Sequence, residues 1–352
     1  MQDFVTLRVA STRVEIDGLA KTVIFDVPDP LKETFLWRPG QHLSFRFHIN
    51  GEEVRRSYSI SSSSFAGEPL RITVKRVPKG LASNFINDQV QAGDTIEVAP
   101  PSGCFCLNPS PKARRTHYFF GAGSGITPLY AMVQSVIAHE PYSVCHLAYG
   151  NISEKTILLQ GELSSLAASS DGRLKIHHIF SKPGWWSNAG YWRRGYIDAD
   201  AIEALLNENP PYAQDVQYYV CGPGNMNVSV KMALMGLDAP QQRIHMESYG
   251  RRQIHEGAVE GFEAELEINL NSDQQTIRVQ KNQTLLAAIR EAGLNPPFSC
   301  QSGVCGTCQA KLKGGEIEMQ SYPALDEADI KRGLILTCQS FAKSAKLKIS
   351  YD

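Results

Sequence analysis

The sequence predicts a multidomain chain: an antiparallel β-barrel, then an α/β domain on a parallel sheet, then a small α+β domain. Length permits this, since 352 residues at the usual ~150 per domain make two to three cores. Two changes of rhythm separate them. Short β-branched stretches broken by turn dipeptides give way near Thr116 to alternating strands and helices. A polar, glycine-containing stretch then leads into a strand of strict apolar–polar alternation.

The elements follow in order. β-Branched runs at 5–14 and 20–27 open the chain, and Pro28-Asp29-Pro30 closes them. Further strands are expected at 43–49, 53–60, 70–77 and 95–99, with Pro39-Gly40, Asn50-Gly51, Ala66-Gly67 and Ala92-Gly93 as turns. Strands this short and this closely spaced predict a closed or nearly closed antiparallel barrel over residues 1–110, leaving through Pro109-Ser110-Pro111. Within 111–250, strands at 117–120, 144–149, 174–180 and 216–221 alternate with helices at 129–138, near 156–167 and near 227–235. That is the rhythm of a doubly wound parallel sheet. Residues 251–258 read as a linker. In 259–352, Ala264, Leu266, Ile268 and Leu270 share one face of a half-buried strand and Glu263, Glu265, Glu267 and Asn269 the other. Thr284 caps a helix ended by Gly293, and Asp326 caps another ended by Gly333.

Composition removes several classes of function. Lys+Arg (35) and Asp+Glu (36) nearly cancel, and no basic run exceeds Arg-Arg, so a nucleic-acid surface is not expected. No run approaches the ~18 apolar residues of a membrane span. The start lacks a basic segment followed by an apolar one, so the expected compartment is the cytoplasm. There, cysteines serve metals or chemistry rather than disulfides.

The eight cysteines are placed unevenly. Cys300, Cys305 and Cys308 stand in a C-x4-C-x2-C run, and Cys338 follows at a distance. This is the spacing of plant-type [2Fe–2S] sites: three thiolates converge from one loop and a fourth arrives from elsewhere. A structural zinc site shows paired C-x2-C knuckles, and only one such pair is present. Gly303 and Gly306 let the loop curl and turn its amides inward. Cys145 and Cys221 lie on apolar strands, and Cys104 and Cys106 alternate in a strand-like stretch.

Three further constellations carry cofactor chemistry. Residues 56–62 read R-x-Y-S-x-x-S: Arg56 offers a pyrophosphate a fixed fork, Tyr58 a ring to lie on a flavin, and Ser59 a hydroxyl for flavin N5. Taken alone, the stretch is equally an alternating strand with an edge arginine. Gly80-Leu81-Ala82-Ser83 opens a helix-like stretch whose first amides and Ser83 suit a phosphate, or make an ordinary cap. Gly121-Ala122-Gly123-Ser124-Gly125-Ile126-Thr127-Pro128 follows a strand and precedes a helix, the context of a phosphate cradle.

Pro39-Gly40-Gln41 completes a set that resembles FAD domains of the ferredoxin–NADP reductase type. The glycine turn ending in Pro128, and Cys221-Gly222-Pro223 closing a late strand, resemble the NAD(P)-binding lobe of the same family. From Phe262 onward the chain is similar to a plant-type ferredoxin domain, which implies a β-grasp-like fold. The whole order resembles reductase components of bacterial multicomponent oxygenases, the phenylacetyl-CoA epoxidase and ketosteroid hydroxylase reductases among them.

The resemblance implies electron flow from NADH or NADPH through FAD and a [2Fe–2S] cluster to a separate oxygenase or hydroxylase, of diiron or Rieske type. A non-oxygenase acceptor such as a hybrid-cluster protein is the second reading, and a redox-sensing role the third. The G-x-x-S element favours FAD over FMN. Implied catalytic residues are Ser59, Cys221 and Glu247; implied cofactor-binding residues are Arg56, Ser57, Tyr58, Ser59, Lys75, Gly80, Ser83 and Tyr249. Gly121, Gly123, Gly125, Thr127, Pro128, Cys221, Gly222 and Pro223 complete the binding set, and Cys300, Cys305, Cys308 and Cys338 hold the metal. Cys221 faces the nicotinamide or is a core thiol; Glu247 and Tyr249 border the flavin or lie in a solvated linker. Relatives often read Y-G-N-R where this chain has Tyr149-Gly150-Asn151-Ile152, which leaves coenzyme choice open, with Lys182 a substitute cation. A common G-R-I-D element here reads Gly195-Tyr196-Ile197-Asp198. Trp185, Trp186 and Trp192 just before it are expected to pack on the sheet rather than form a contact surface.

Overall fold

The barrel segment opens with strand β1 (Val5–Glu15), whose Leu7 and Val9 are fully buried between exposed neighbours. β2 (Ala20–Asp26), β3 (His42–Ile49), β4 (Glu52–Ser59), β5 (Arg71–Lys75), helix α1 (Leu81–Asp88) and β6 (Thr95–Val98) follow. The computed structural model describes residues 4–183, 192–248, 259–270, 272–322, 324–325 and 327–351. The six strands lie in the order β4-β3-β6-β1-β2-β5. An isolated antiparallel bridge between Ile60 and Ile72 links the two outer strands, and the Ser61 amide donates to the Arg71 carbonyl at 2.8 Å. The sheet therefore curls back on itself around Leu7, Phe25, Leu43, Phe45 and Ile72. Cys104 and Cys106 lie in a loop rather than a strand: Pro100 and Pro101 cannot donate to a ladder, and Gly103 turns the backbone to φ +112°.

The second sheet is built from β7 (Arg115–Ala122), β8 (Val144–Asn151), β9 (Leu174–Phe180), β10 (Arg193–Arg194), β11 (Asp215–Gly222) and β12 (Ile244–Ser248). Helices α2 (Ile126–His139), α3 (Gln160–Ala168), α4 (Ala199–Glu208) and α5 (Gly224–Gly236) connect them. The order is β10-β9-β8-β7-β11-β12, and every pairing is parallel. The chain steps outward from β7 on one side, then returns to its other side at β11. That reversal opens a crevice at the carboxyl ends of β7 and β11, where sheets of this kind take ligands. Helix α2 begins three residues before the expected start, because Pro128 sits in the first turn, where no amide donor is needed. Helix α4, capped by Asp198 accepting from the Ala201 amide at 3.0 Å, was not among the expected elements. Nor was β12: Met246-Glu247-Ser248 is an edge strand paired with β11, not a solvated linker.

Below the crevice, the fully buried His117 and Glu140 pair at 3.0 Å. The carboxylate also accepts from Ser143 Oγ at 2.7 Å and the Ser110 amide at 3.1 Å. Burial alone would raise its pKa; these bonds outweigh burial and hold it below the usual carboxylate range. Apart from Arg55–Ser57, the first two sheets form one compact unit. They share a core in which Ala20, Phe105 and Leu107 pack with Phe119, Leu129 and Met132.

A second unit holds β13 (Ala264–Leu270), β14 (Asp273–Val279), α6 (Leu285–Glu291), β15 (Gln309–Gly314), β16 (Ile317–Met319), α7 (Glu327–Lys331), β17 (Leu334–Leu336), β18 (Ser340–Ala342) and β19 (Lys346–Ser350). Its main sheet runs β14-β13-β19-β15-β17, with β13 and β19 parallel at the centre, and β16 pairs with β18. Thr284 Oγ1 accepts from the Ala287 amide at 3.3 Å, the cap read from the sequence; Asp326 lies outside the described residues. Leu285, Leu286 and Ile289 of α6 are buried on the sheet face that carries Leu266, Ile268 and Ile349.

Candidate functional site

A cavity of ≈ 620 Å³ occupies the crevice between β7 and β11, lined among others by Lys75, Gly123, Asn151, Asp198, Pro223 and Met226. Its floor is the glycine turn. Residues 123–125 make a single tight turn into α2, a fourteen-residue helix whose N-terminal amides favour an anion. Gly125 is required by close approach, since a Cβ there would run into the Cys221 carbonyl and the Gly222 amide. Gly121 sits against Leu129, Thr127 is buried with its hydroxyl donating to the Ser124 carbonyl at 3.0 Å, and Pro128 is buried beside it. Gly222 and Pro223 form the opposite lip and start α5. Lys75 brings a cation to the Gly123 side, its Nζ 4.0 Å from where a Cβ of that glycine would stand.

The barrel contributes β4. Arg56 donates to the Arg55 carbonyl at 2.6 Å, Ser57 is half-buried, and the half-buried Tyr58 ring lies 5.9 Å from that of Phe45. Ser59 is buried, and its Oγ donates to Glu247 Oε2 at 3.3 Å. Cys221 pairs in register with Glu247 on the neighbouring strand. The three residues expected to be catalytic thus gather at one place, two of them joined by a hydrogen bond and two by the β11–β12 ladder. Cys221 has no solvent-accessible surface and belongs to the core that includes Phe119 and Leu129. Gly80 precedes the first residue of α1. Ser83 Oγ accepts from the Val77 amide at 3.2 Å and donates to the Gly80 carbonyl at 3.4 Å, tying the loop before the helix. Tyr249, Trp185 and Trp186 lie outside the described residues. Trp192 is half-buried and donates to Glu208 at 2.8 Å, and the Lys182 amide donates to the Ile152 carbonyl at 2.8 Å.

Three residues to which the sequence reading assigned no catalytic, binding or metal role stand in this site. Asn227, in the first turn after Pro223, is 2% exposed and donates from Nδ2 to the Glu247 carbonyl at 2.7 Å and to Ser248 Oγ at 2.8 Å. It fixes the strand that carries Glu247. Tyr149, fully buried, donates to the Gly123 carbonyl at 3.0 Å. The Cys106 thiol is pushed up to about 11, chiefly by burial, with Arg38 opposing and the charges of Cys104 and Glu247 adding to the rise. Only long-range packing reveals these relations, although an asparagine at the start of the helix after C-G-P was a readable signal. The residues fit a flavin in one further respect. Ser62, last in the R-x-Y-S-x-x-S run, is fully buried, and its hydroxyl has no partner among the described residues.

In the second unit the four expected thiols form two pairs, Cys300 with Cys305 and Cys308 with Cys338. The Cys305 thiol hydrogen-bonds Cys300, and the amides of Ser302 and Cys305 each lie 3.4 Å from Cys300 Sγ. Together they bring Cys300 down to about 5, against the pull of burial. Cys305 and Cys308 are raised by the same hydrogen-bonded pairing and by burial. Gly303 sits at φ +78°, and a Cβ on it would stand 2.7 Å from the Ser321 carbonyl. Two thiol pairs, with two amides aimed at Cys300 Sγ, are a donor set that would suit a [2Fe–2S] cluster, which takes four cysteine thiolates. Gln339 braces the arrangement, its Nε2 donating to the Gln301 carbonyl at 3.1 Å and the Cys338 carbonyl at 3.0 Å.

Family models match three stretches: the oxidoreductase FAD-binding domain at 11–106, the oxidoreductase NAD-binding domain at 119–232, and the 2Fe-2S iron-sulfur cluster binding domain at 268–343. The chain is 32% identical over 353 residues to the ferredoxin reductase component of 3-ketosteroid-9-alpha-monooxygenase from Rhodococcus rhodochrous, covering 97% of this chain and 95% of that one. It is 29% identical over 364 residues to one of the subunits of 1,2-phenylacetyl-CoA epoxidase from Escherichia coli K12, covering 100% and 99%. In fold it is similar to phthalate dioxygenase reductase, with TM-score 0.60 and 24% identity over 99% of this chain and 98% of the other.

Proposed function

The chain belongs to the family of flavin and [2Fe–2S] reductase components of multicomponent oxygenases, and on that premise we propose that it feeds an oxygenase of the phenylacetyl-CoA epoxidase or Rieske type. It is an NAD(P)H-dependent oxidoreductase. Bound FAD would supply hydride acceptance and one-electron release, and a [2Fe–2S] cluster held by the cysteines would supply one-electron transfer.

This chain's residues supply place and polarity. The turn at Gly121, Gly123 and Gly125, the α2 terminus with Thr127 and Pro128, Lys75, and the Gly222-Pro223 lip hold the NAD(P)H pyrophosphate in the crevice. Arg56, Ser57, Tyr58, Gly80 and Ser83 would hold FAD on the barrel. Ser59 and Glu247 meet the flavin edge, with Cys221 behind them in the nicotinamide wall. Cys300, Cys305, Cys308 and Cys338 ligate the cluster. The observation that supports this most is the Ser59–Glu247 hydrogen bond, because it joins the barrel to the strand next to Cys221.

A cytoplasmic setting suits a chain whose eight cysteines all keep free thiols rather than forming disulfides. Among the described residues no helix is long and apolar enough to cross a membrane. The test is anaerobic stopped-flow absorbance with NADH and NADPH in turn, followed by turnover with a diiron or Rieske oxygenase whose gene lies nearby. Flavin bleaching, then loss of the cluster bands, then coupled substrate oxidation is the expected sequence. Fast reduction without coupling to any such oxygenase would assign a non-oxygenase acceptor.

A further inference from the structure

We propose that Tyr149 is a positioning residue for the coenzyme, acting through the glycine turn rather than by touching the coenzyme itself. Its side chain is fully buried behind the cavity wall, between the lining residues Gly150 and Asn151 and the turn at Gly123. The hydroxyl donates to the Gly123 carbonyl at 3.0 Å and accepts from the Leu158 amide at 3.3 Å. It therefore ties together three separate stretches: the turn after β7, the end of β8 and the segment leading to α3. Gly123 stands at φ +54°, a conformation reached by many neighbouring geometries in a glycine. The turn's own bonds, from the Ile126 amide to the Gly123 carbonyl and from Thr127 Oγ1 to the Ser124 carbonyl, are all local, and a phosphate cradle works only if its amides converge. The Tyr149 hydroxyl selects one by engaging the carbonyl from behind, so that the cavity side of the turn is left to its amides. Deleting that oxygen leaves the half-buried Gly123 carbonyl with the Ile126 amide as its donor and removes the tie from the turn to β8, while the barrel and the cysteine loop keep all their contacts.

The inference rests on the reading that this cavity takes NAD(P)H, and the experiment separates the two. In the full-length holoprotein, Tyr149→Phe is compared with wild type for KM and kcat with NADH and NADPH using ferricyanide as acceptor. NAD⁺ affinity, FAD content and the cluster spectrum are measured alongside. The expected result is a KM raised about tenfold, with matching loss of NAD⁺ affinity and unchanged kcat, FAD content and cluster bands. Placing 4-aminophenylalanine at the same position keeps an N–H donor and should restore KM, which also covers the case where the phenylalanine variant folds poorly. An unchanged KM overturns the proposal. So does a fall in kcat, flavin content and affinity together that the amine does not rescue, because that marks a purely structural side chain. Wild type that binds neither nucleotide overturns the underlying reading instead.

Discussion

Ser59 and Glu247 are 188 residues apart in the chain and 3.3 Å apart in space, hydroxyl to carboxylate. The bond connects the buried end of β4 with the strand paired to Cys221. It gives the small hydroxyl an orientation that an isolated strand could not. If the hydroxyl meets the flavin, Ser59→Ala should slow flavin reduction by NAD(P)H about a hundredfold, the usual cost of one preorganised donor. Stopped-flow traces should show this while dithionite still bleaches the cluster at the wild-type rate.

Cys305→Ser tests the thiol pairs. Losing one partner of the Cys300–Cys305 pair should abolish the cluster's visible bands and its electron-paramagnetic signal and leave the flavin spectrum intact. A variant with full cluster absorbance would remove Cys305 from the ligand set.

Gly125→Ala places a methyl against backbone atoms of Cys221 and Gly222, which cannot swing aside as a flexible side chain would. The turn or the β11 terminus must shift instead. KM for the nucleotide should rise about tenfold or more and the melting midpoint should fall, with FAD content preserved. Parallel titrations of nucleotide and flavin would show whether the damage is confined to the crevice.

His42 gives a pH dependence of known sign. It is 4% exposed, and burial lowers its imidazole to about 4. The unfolded chain takes up a proton near pH 6.5 and the folded chain does not until far lower, so this contribution to stability is present above the unfolded value and is lost as pH falls. From pH 6.5 to pH 5 the loss amounts to about 2 kcal/mol. His42→Gln should flatten that part of the curve, read as the denaturation midpoint against pH; parallel curves for the two proteins would contradict it.

What the sequence showed was what it holds locally. The C-x4-C-x2-C run, the glycine turn and the R-x-Y-S-x-x-S run each place their chemistry within ten residues, and period-two alternation exposed strands such as β13. Elements whose reason lies elsewhere stayed hidden. Ile244–Ser248 has neither strong alternation nor a flanking turn pair, and is a strand because β11 offers it a free edge. Tyr149 reads as one more apolar residue of β8 until the Gly123 carbonyl is found above its hydroxyl. The alternating cysteines at 104 and 106 looked extended, yet the prolines and glycine around them broke the ladder. Pairwise thiol grouping, too, is a property of the folded loop and not of spacing alone.

Strand β12 has five residues, each paired to β11 one for one, and Glu247 is the fourth. Alternation along a strand means that sliding it by a single position would swing this carboxylate to the opposite face. The stretch 237–243, between α5 and β12, therefore behaves as a spacer of fixed gauge: adding or removing one residue would unhook the barrel's hydroxyl from the crevice while leaving every motif in the sequence intact.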